Sequence, residues 1–397
     1  MTDIMIPVTA ARARITAALL PLEAEPCSLT EAFGRTLAAP LVAQLTQPPF
    51  AASAMDGYAV HSRDLGDLPA RLALQGESAA GHGFDLKLKP GHAIRISTGA
   101  PMPQGADQVV MQERVTRDGN HITLDDTPRP NSNVRAAGID FNAGDALLPA
   151  GAVLGPDAVA LAAGAGLSEL TVHRRPRVGI LSTGDELVEP GQTPGPHQII
   201  NSIAWGLDGL VRQWGGEPVY LGIARDSQAD VRAKLEATQG LDIVVTIGGA
   251  SVGDHDHLRQ VFTAMGGVLD FGKIAVKPGK PSWFGRLGDV AFLGLPGNPV
   301  SSLVMARLLL RPALAVLCGR PETLEFKTAR LGEDMAANGM RENFVRARID
   351  PQTGRVHPLG NQDSSALSAL VRADALIRRE IEAPAAKAGE ETQILPL

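Results

Sequence analysis

Two cysteines in 397 residues, Cys27 and Cys318, are too few for a disulfide framework or a cysteine-built zinc cluster. Each reads as a small buried filler rather than a nucleophile. Aromatic residues make up only 4% of the chain, so the stacking surface of a single-stranded nucleic-acid platform is missing. There is no basic excess either: 37 Lys and Arg stand against 43 Asp and Glu, for a net charge of -6. General DNA or RNA binding is therefore not expected, and an anion would need a focused local site. The first residues lack the basic start and long apolar stretch of a signal peptide. The most apolar run, residues 303–318, is broken by Arg307, Arg311 and Pro312 and reads as too short and too charged to span a bilayer. The expectation is a cytoplasmic protein.

What is present is a globular composition, 44% hydrophobic and 20% charged, in a chain too long for one ordinary core. Several domains are expected. In the N-terminal third, residues 71–74, 92–97, 107–113 and 121–124 predict short strands of a β-rich module. Residues 8–20 and 28–37 predict helices, the second opened by a capping box of Ser28 and Glu31. The basic stretch at residues 173–177 predicts a linker. Beyond it the pattern alternates: strands at 178–182, 218–223, 243–247 and 289–294, helices at 201–214, 229–237, 257–265 and 300–317. That is the signature of a doubly wound α/β domain of mostly parallel strands. From about residue 319 short strands return, at 344–349 and 355–358, predicting a small C-terminal β domain.

In an open α/β sheet, ligands bind beyond the carboxyl ends of the strands. Four of the strands end there in polar or glycine-rich loops: Ser182-Thr183-Gly184-Asp185-Glu186, Ala224-Arg225-Asp226, Gly248-Gly249 running on to Asp256, and Leu295-Pro296-Gly297-Asn298. Two are glycine-rich and feed a helix, the arrangement that aims backbone N–H groups at a phosphate. Neither is a GxxxxGK[ST] or GxGxxG fingerprint, and singly each reads equally well as a tight turn. Asp185, Glu186, Asp226, Asp254 and Asp256 share these loops. A phosphate beside several acids needs a cation between them, and oxygen-only ligands suit Mg²⁺. Taken alone, each acid reads as a helix cap, Asp254 most of all. His255 and His257 lack further ligands at zinc spacing and read as solvated. In Lys277-Pro278-Gly279-Lys280-Pro281 the Pro-Gly turn fixes the backbone between two lysines, whose ammonium groups, near Ser301 and Ser302, would form an oxyanion site. The alternative there is a solvated surface loop.

In chain order, PPFAASAMDGYAV, STGAPMP, AAGIDFNAGDALLPAG, ILSTGDEL, IGGASVGDHD, KPGKP, LPGNPVSS and GNQDSSALSAL resemble the molybdopterin molybdenumtransferase family, the MoeA type related to the C-terminal part of gephyrin. The resemblance runs over essentially the whole chain. It implies a multidomain α/β plus β architecture, with a central molybdopterin-binding α/β domain at 173–319 and a β-rich insert at 51–136. An elongated helical and β dimerisation unit would comprise 1–50 with 137–172, and a small C-terminal β-barrel 320–397. The implied reaction takes adenylylated molybdopterin and molybdate to molybdenum cofactor and AMP with Mg²⁺. On this resemblance, Thr183, Gly184, Asp185, Gly248, Gly249, Ser251, Asp254, Pro296, Gly297 and Asn298 would bind the adenylylated pterin. Lys277, Lys280, Pro281, Ser301, Arg346 and one of Ser364 and Ser365 would bind molybdate. Asp185, Glu186, Asp226 and Asp256 would hold the metal, and Glu186, Asp226 and Asp256 would be catalytic together with Asp56, Thr98 and Asp140 from the partner of a homodimer. The upstream adenylyltransferase and downstream molybdoenzyme machinery are candidate partners, and neither nucleic acid nor membrane is implied. Two other readings stay open: a molybdopterin adenylyltransferase, for which the flanking β domains are excess, and a non-catalytic gephyrin-like scaffold. The family pattern departs at His61, often arginine, at His257, often aromatic, and in the loosely matching stretch around Arg346.

Overall fold

The central sheet of the computed structural model, which describes residues 4–126, 129, 131–249, 257–321 and 324–397, has six strands. Their order is Glu217–Ala224, Arg177–Thr183, Ile243–Ile247, Val290–Leu295, Trp283–Leu287 and Val268–Phe271. The first four are parallel, and the last two add an antiparallel edge that the sequence pattern had not revealed. Ile243–Ile247 and Val290–Leu295 are buried throughout, as strands covered by helices on both faces must be. Side chains alternate across the sheet. Ile243, Val245 and Ile247 pack with the helices Ile203–Gln213 and Pro299–Met305, whereas Val244 and Phe292 pack with Gln228–Glu236 and His257–Ala264.

The helical run from Pro299 continues through a wider π turn at Ala306–Leu310 to Leu317. At 19 residues it is long and apolar enough to cross a membrane, contrary to the sequence expectation. In the structure it is mostly buried, against the sheet and the helix Val8–Ala17, so it is the central core helix.

A second six-stranded sheet runs Gln108–Met111, Gly57–Val60, His92–Ile96, Ala70–Ser78, His121–Leu124, Thr116–Asp118. Gly57–Val60, absent from the strands expected from the sequence, is an inner strand with all four residues buried. Gly57 is required there, because a Cβ would stand 1.9 Å from the Val110 carbonyl oxygen. In the C-terminal sheet the order is Val276–Lys277, Glu342–Ile349, Ala375–Arg379, Glu391–Pro396, Lys327–Arg330, with Val356–Pro358 also on Glu342–Ile349. A bridge from Leu331 to Val356 joins the last strand back to the first pairs, around a core that includes Val345, Ile377 and Ile394.

One further expectation fails for an identifiable reason. Residues 28–37 are not a helix: Ala24–Ser28 is a strand paired with Glu169–His173. Ser28 Oγ meets Thr30 Oγ1 instead of capping, and Gly34 turns with φ 74°. The Gly34 and Leu37 N–H groups donate to the carbonyls of Leu154 and Ala152, and Cys27, Ala32 and Leu37 share a core with Leu170. Residues 174–176 do connect the strands Glu169–His173 and Arg177–Thr183, and the connection is anchored. Arg174 donates to both Asp242 oxygens, at 2.9 and 2.8 Å, and pairs with Glu23. The Arg177 N–H donates to the same Asp242 carboxylate at 2.7 Å.

Candidate active site

Thr183 and Ala224 pair in register at the carboxyl ends of neighbouring parallel strands, as do Ile247 and Leu295. The loops that follow are therefore delivered to one edge of the sheet and are tied to one another there. The Gly184 N–H donates to the Ala224 carbonyl at 3.1 Å, Thr183 Oγ1 to the Ile247 carbonyl at 3.2 Å, and the Gly248 N–H to the Leu295 carbonyl at 3.1 Å. Gly248 has φ 86°, and a Cβ on it would lie 2.9 Å from both the carbonyl and hydroxyl oxygens of Thr183. A Cβ on Gly297 would approach the Gly248 Cα to 3.8 Å, so the two glycine loops touch. Thr183, Glu186, Asn201, Gly248 and Gly297 line a small recess between them.

Two of the expected acids are locked together. The Asp185 N–H donates to Asp226 Oδ2 at 3.4 Å, and the Asp226 N–H returns the bond to Asp185 Oδ1 at 3.2 Å. Each carboxylate thus keeps an oxygen free, at an exposed position, beside another negative charge. Glu186 folds over Gly184, where a Cβ would lie 2.2 Å from its Oε2. Among the described residues, no three His, Cys, Asp or Glu side chains come close enough to hold a metal ion by themselves. Ser251, Asp254, His255 and Asp256 lie outside the described residues. An exposed, oxygen-only carboxylate pair is nevertheless donor chemistry suited to a hard divalent cation.

The lysine loop packs against the core helix. Gly279 sits where a Cβ would be 2.3 Å from Met305 Cγ, so the turn between Lys277 and Lys280 is pressed onto the helix that starts at Pro299. Both lysines are exposed. Lys280 is braced through its carbonyl, which accepts from the Ile274 N–H at 2.9 Å, and Pro281 through its carbonyl, which accepts from Arg259 at 3.2 Å. Ser301 is buried on the first turn of the helix with no side-chain hydrogen bond among the described residues, while Ser302 Oγ is spent on the Pro296 carbonyl.

The serine pair is resolved by its neighbours. The Val300 N–H donates to the Ser364 carbonyl at 3.0 Å, and Asn298 Nδ2 donates to Ser364 Oγ at 2.9 Å, which leaves the Ser364 hydroxyl proton available. Ser365 Oγ instead donates to Asp363 Oδ1 at 2.6 Å. Arg346, expected to touch the oxyanion, is only 2% exposed. Its guanidinium donates to the carbonyls of Asp363 and Asn361, both at 3.0 Å, so it braces the serine loop from beneath. Burial holds its pKa below the ordinary arginine value.

In the N-terminal sheet, Asp56 Oδ1 accepts from both the N–H and the hydroxyl of Thr98, at 2.7 and 3.0 Å. These bonds hold the Asp56 carboxyl below the usual carboxylate range. Thr98→Val removes one of them, and its expected result is an upward shift of the Asp56 titration, read by carboxyl ¹³C NMR; an unchanged titration would mean the hydroxyl contributes nothing. Asp140 is exposed and held by its N–H to the Gln47 carbonyl at 3.1 Å. Among the described residues it has no hydrogen bond to Asp56 or Thr98, and none of the three bonds to the α/β loops.

Family models match the three regions of the chain: the MoeA N-terminal region (domain I and II) over residues 6–166, a probable molybdopterin binding domain over 179–316, and the MoeA C-terminal region (domain IV) over 328–397. The molybdopterin molybdenumtransferase of Haemophilus influenzae is 37% identical over 402 residues, covering 99% of this chain and 98% of its own. The chain belongs to the MoeA family. A MoeA-family relative from Nostoc, also named molybdopterin molybdenumtransferase, is 34% identical over 94% of this chain and 89% of its own. The crystal structure of the molybdopterin biosynthesis MoeA protein from Pyrococcus horikosii superposes with a TM-score of 0.85 at 30% identity, covering 99% of both chains. As a MoeA-family member the chain is an enzyme, a transferase of molybdenum cofactor biosynthesis.

Sequence reasoning missed the residues of this MoeA-type site that act through others. Asp363 orients Ser365, and Gln362 clasps the backbone of Arg346, its Oε1 accepting from the N–H at 3.1 Å and its Nε2 donating to the carbonyl at 2.9 Å. Asn201 takes a bond from Ser182 Oγ at 3.0 Å and gives one to Tyr220 at 2.8 Å, fixing the wall of the recess near Glu186. An asparagine between the apolar Ile199-Ile200 and the following helix was the available signal for it.

Proposed function

We propose that the chain inserts molybdate into adenylylated molybdopterin, forming molybdenum cofactor and releasing AMP. The observation that carries this reading is the gathering of three loops on one helix: the glycine loop Leu295–Asn298 that leads into it, the serine loop bound to Val300 and Asn298 at its start, and the lysine loop pressed on Met305, further along it, through Gly279. The glycine loops at Gly184, Gly248 and Gly297 offer backbone N–H groups to the pyrophosphate. Lys277 and Lys280 offset the charge of the incoming dianion, and Ser301 and Ser364 donate to its oxygens. Arg346 positions Ser364 rather than meeting the oxyanion itself. Mg²⁺ would be held by Asp185 and Asp226, with Glu186 and Asp256 completing the set, and would supply charge neutralisation at the phosphates.

The same reading divides the chain into a dimerisation unit at 1–50 with 137–172, an insert at 51–136, the α/β domain at 173–319 and the C-terminal β-barrel at 320–397. In the homodimer, Asp56, Thr98 and Asp140 of one protomer would face the cleft of the other, in a cytoplasmic enzyme. The test is AMP release from purified adenylylated molybdopterin, with and without molybdate and Mg²⁺. Release that needs both supports the proposal; ATP-dependent adenylylation of free molybdopterin in its place would make the chain an adenylyltransferase. Within that assay Ser364→Ala should lose about tenfold in turnover, the worth of one charge-assisted hydrogen bond, and Ser365→Ala distinctly less. Equal losses would overturn the assignment of Ser364.

A further inference from the structure

At the other end of the core helix lies a cavity of about 620 Å³ that the proposed reaction does not use. The helix begins beyond the carboxyl end of Val290–Leu295 and runs back along the sheet, so Arg307 and Arg311 stand toward the opposite edge from the loops. Trp214, which closes the helix Ile203–Gln213, lines the cavity with them. Arg320, the strand end at Leu395 and, from the N-terminal half, Val153 also line it.

Three arginines therefore line one space, and no Asp or Glu side chain lines it. Arg307 donates to the Leu303 carbonyl of its own helix at 2.9 Å, and Arg320 to the Trp214 carbonyl. Arg311 has no hydrogen bond or ion pair among the described residues. Three other partly buried arginines have carboxylate partners, in the pairs Arg35–Glu25, Arg174–Asp242 and Arg378–Glu342. Burial, and then the charge of Arg311, hold the Arg307 pKa below its ordinary value, so the two cations stand close together. Arg307 also rides on the π-helical turn, a distortion that gathers at functional sites.

Apart from Gln213 the rest of the wall is largely apolar, with Leu210, Trp214, Pro312, Ala315 and Leu395 among its residues. A cavity of this size belongs to the small-molecule range, and an inorganic anion alone would leave most of it empty. We propose that it binds a small organic phosphate, with the phosphate on Arg307 and Arg311 and an apolar body against Trp214, Pro312 and Leu395. Guanidinium forks match phosphate oxygens two at a time, which suits this pairing better than lysines would.

The test uses the full-length chain carrying Lys277→Ala, so that anion binding at the lysine loop does not contribute. Phenyl phosphate and inorganic phosphate are titrated by calorimetry. Expected is binding of phenyl phosphate about tenfold or more tighter than inorganic phosphate, with Arg311→Gln weakening it by about tenfold or more. Arg311 is not part of the reaction site, so Arg311→Gln in the otherwise unaltered chain should keep its AMP release; Arg320→Gln gives a second variant should the first misfold. No binding of phenyl phosphate at millimolar concentration, or equal binding with and without Arg311, would overturn the proposal. Tighter binding of an acidic peptide than of either phosphate would overturn it too, in favour of a protein-docking site.

Discussion

Lys277→Ala should lower molybdate-dependent AMP release by two to three orders of magnitude, on the order of 3–4 kcal/mol of transition-state stabilisation. The size of the effect follows from placement. Val276–Lys277 is fixed in a parallel pairing with Glu342 and Asn343, and the next turn is pinned by Gly279 against Met305. The ammonium group therefore hangs from a backbone held on both sides, and little ordering remains to be done when the dianion arrives. Binding of the adenylylated pterin should change far less, because the glycine loops that would hold its pyrophosphate are tied to other strands. Single-turnover AMP release together with pterin binding by fluorescence checks both halves. Equal losses in the two would show that Lys277 serves binding alone.

Asp242→Ala should be the most destabilising surface-near substitution, by about 2–3 kcal/mol. Its side chain is 13% exposed, and it accepts two bonds from Arg174 and one from the Arg177 N–H. Its loss would leave the Arg174 guanidinium, 27% exposed, without its main partner, and a backbone donor unmatched. The partial exposure of Arg174 is why the figure stays below that of a fully buried pair. Glu391→Ala provides the contrast: its pair with Arg330 has side chains 64% and 62% exposed, and its loss should cost under about 1 kcal/mol. Urea unfolding followed by tryptophan fluorescence separates the two cases. Similar midpoints would show that residues 173–177 are a loose connection after all.

The parts of the fold written plainly in the sequence are those whose burial is uniform. Ile243–Ile247 is buried on both faces and its five apolar residues declare it at once. Trp283–Leu287 hides because its strand contains a glycine and an arginine; Gly285 is there since a Cβ would sit 2.5 Å from the Val268 carbonyl of the neighbouring strand. Residues 28–37 mislead because a capping-box spelling is local, whereas the bonds from Gly34 and Leu37 to residues 152 and 154 are not. The site divides the same way. Asp185 and Asp226 were legible as loop acids after parallel strands, and their mutual bonds confirm that the loops meet. The difference between Ser364 and Ser365, on which the proposed choice of Ser364 rests, was not legible, since it depends on Asp363 occupying one hydroxyl and Asn298 meeting the other. Arg346 carried the right charge in the right stretch, yet only its burial reveals that it works through the loop above it.

The contact of Val300 with Ser364 also has a consequence during synthesis. The lysine loop and the helix it rests on are complete some sixty residues before Ser364 is made, as the spacing of Met305 and Ser364 requires. A ribosome-bound chain therefore owns the cations before it owns the hydroxyl that orients their anion. On the proposed reading the oxyanion pocket would behave as an AND gate whose last input is a segment from the far end of the polypeptide, and an unfinished chain would not hold molybdate in a reactive pose.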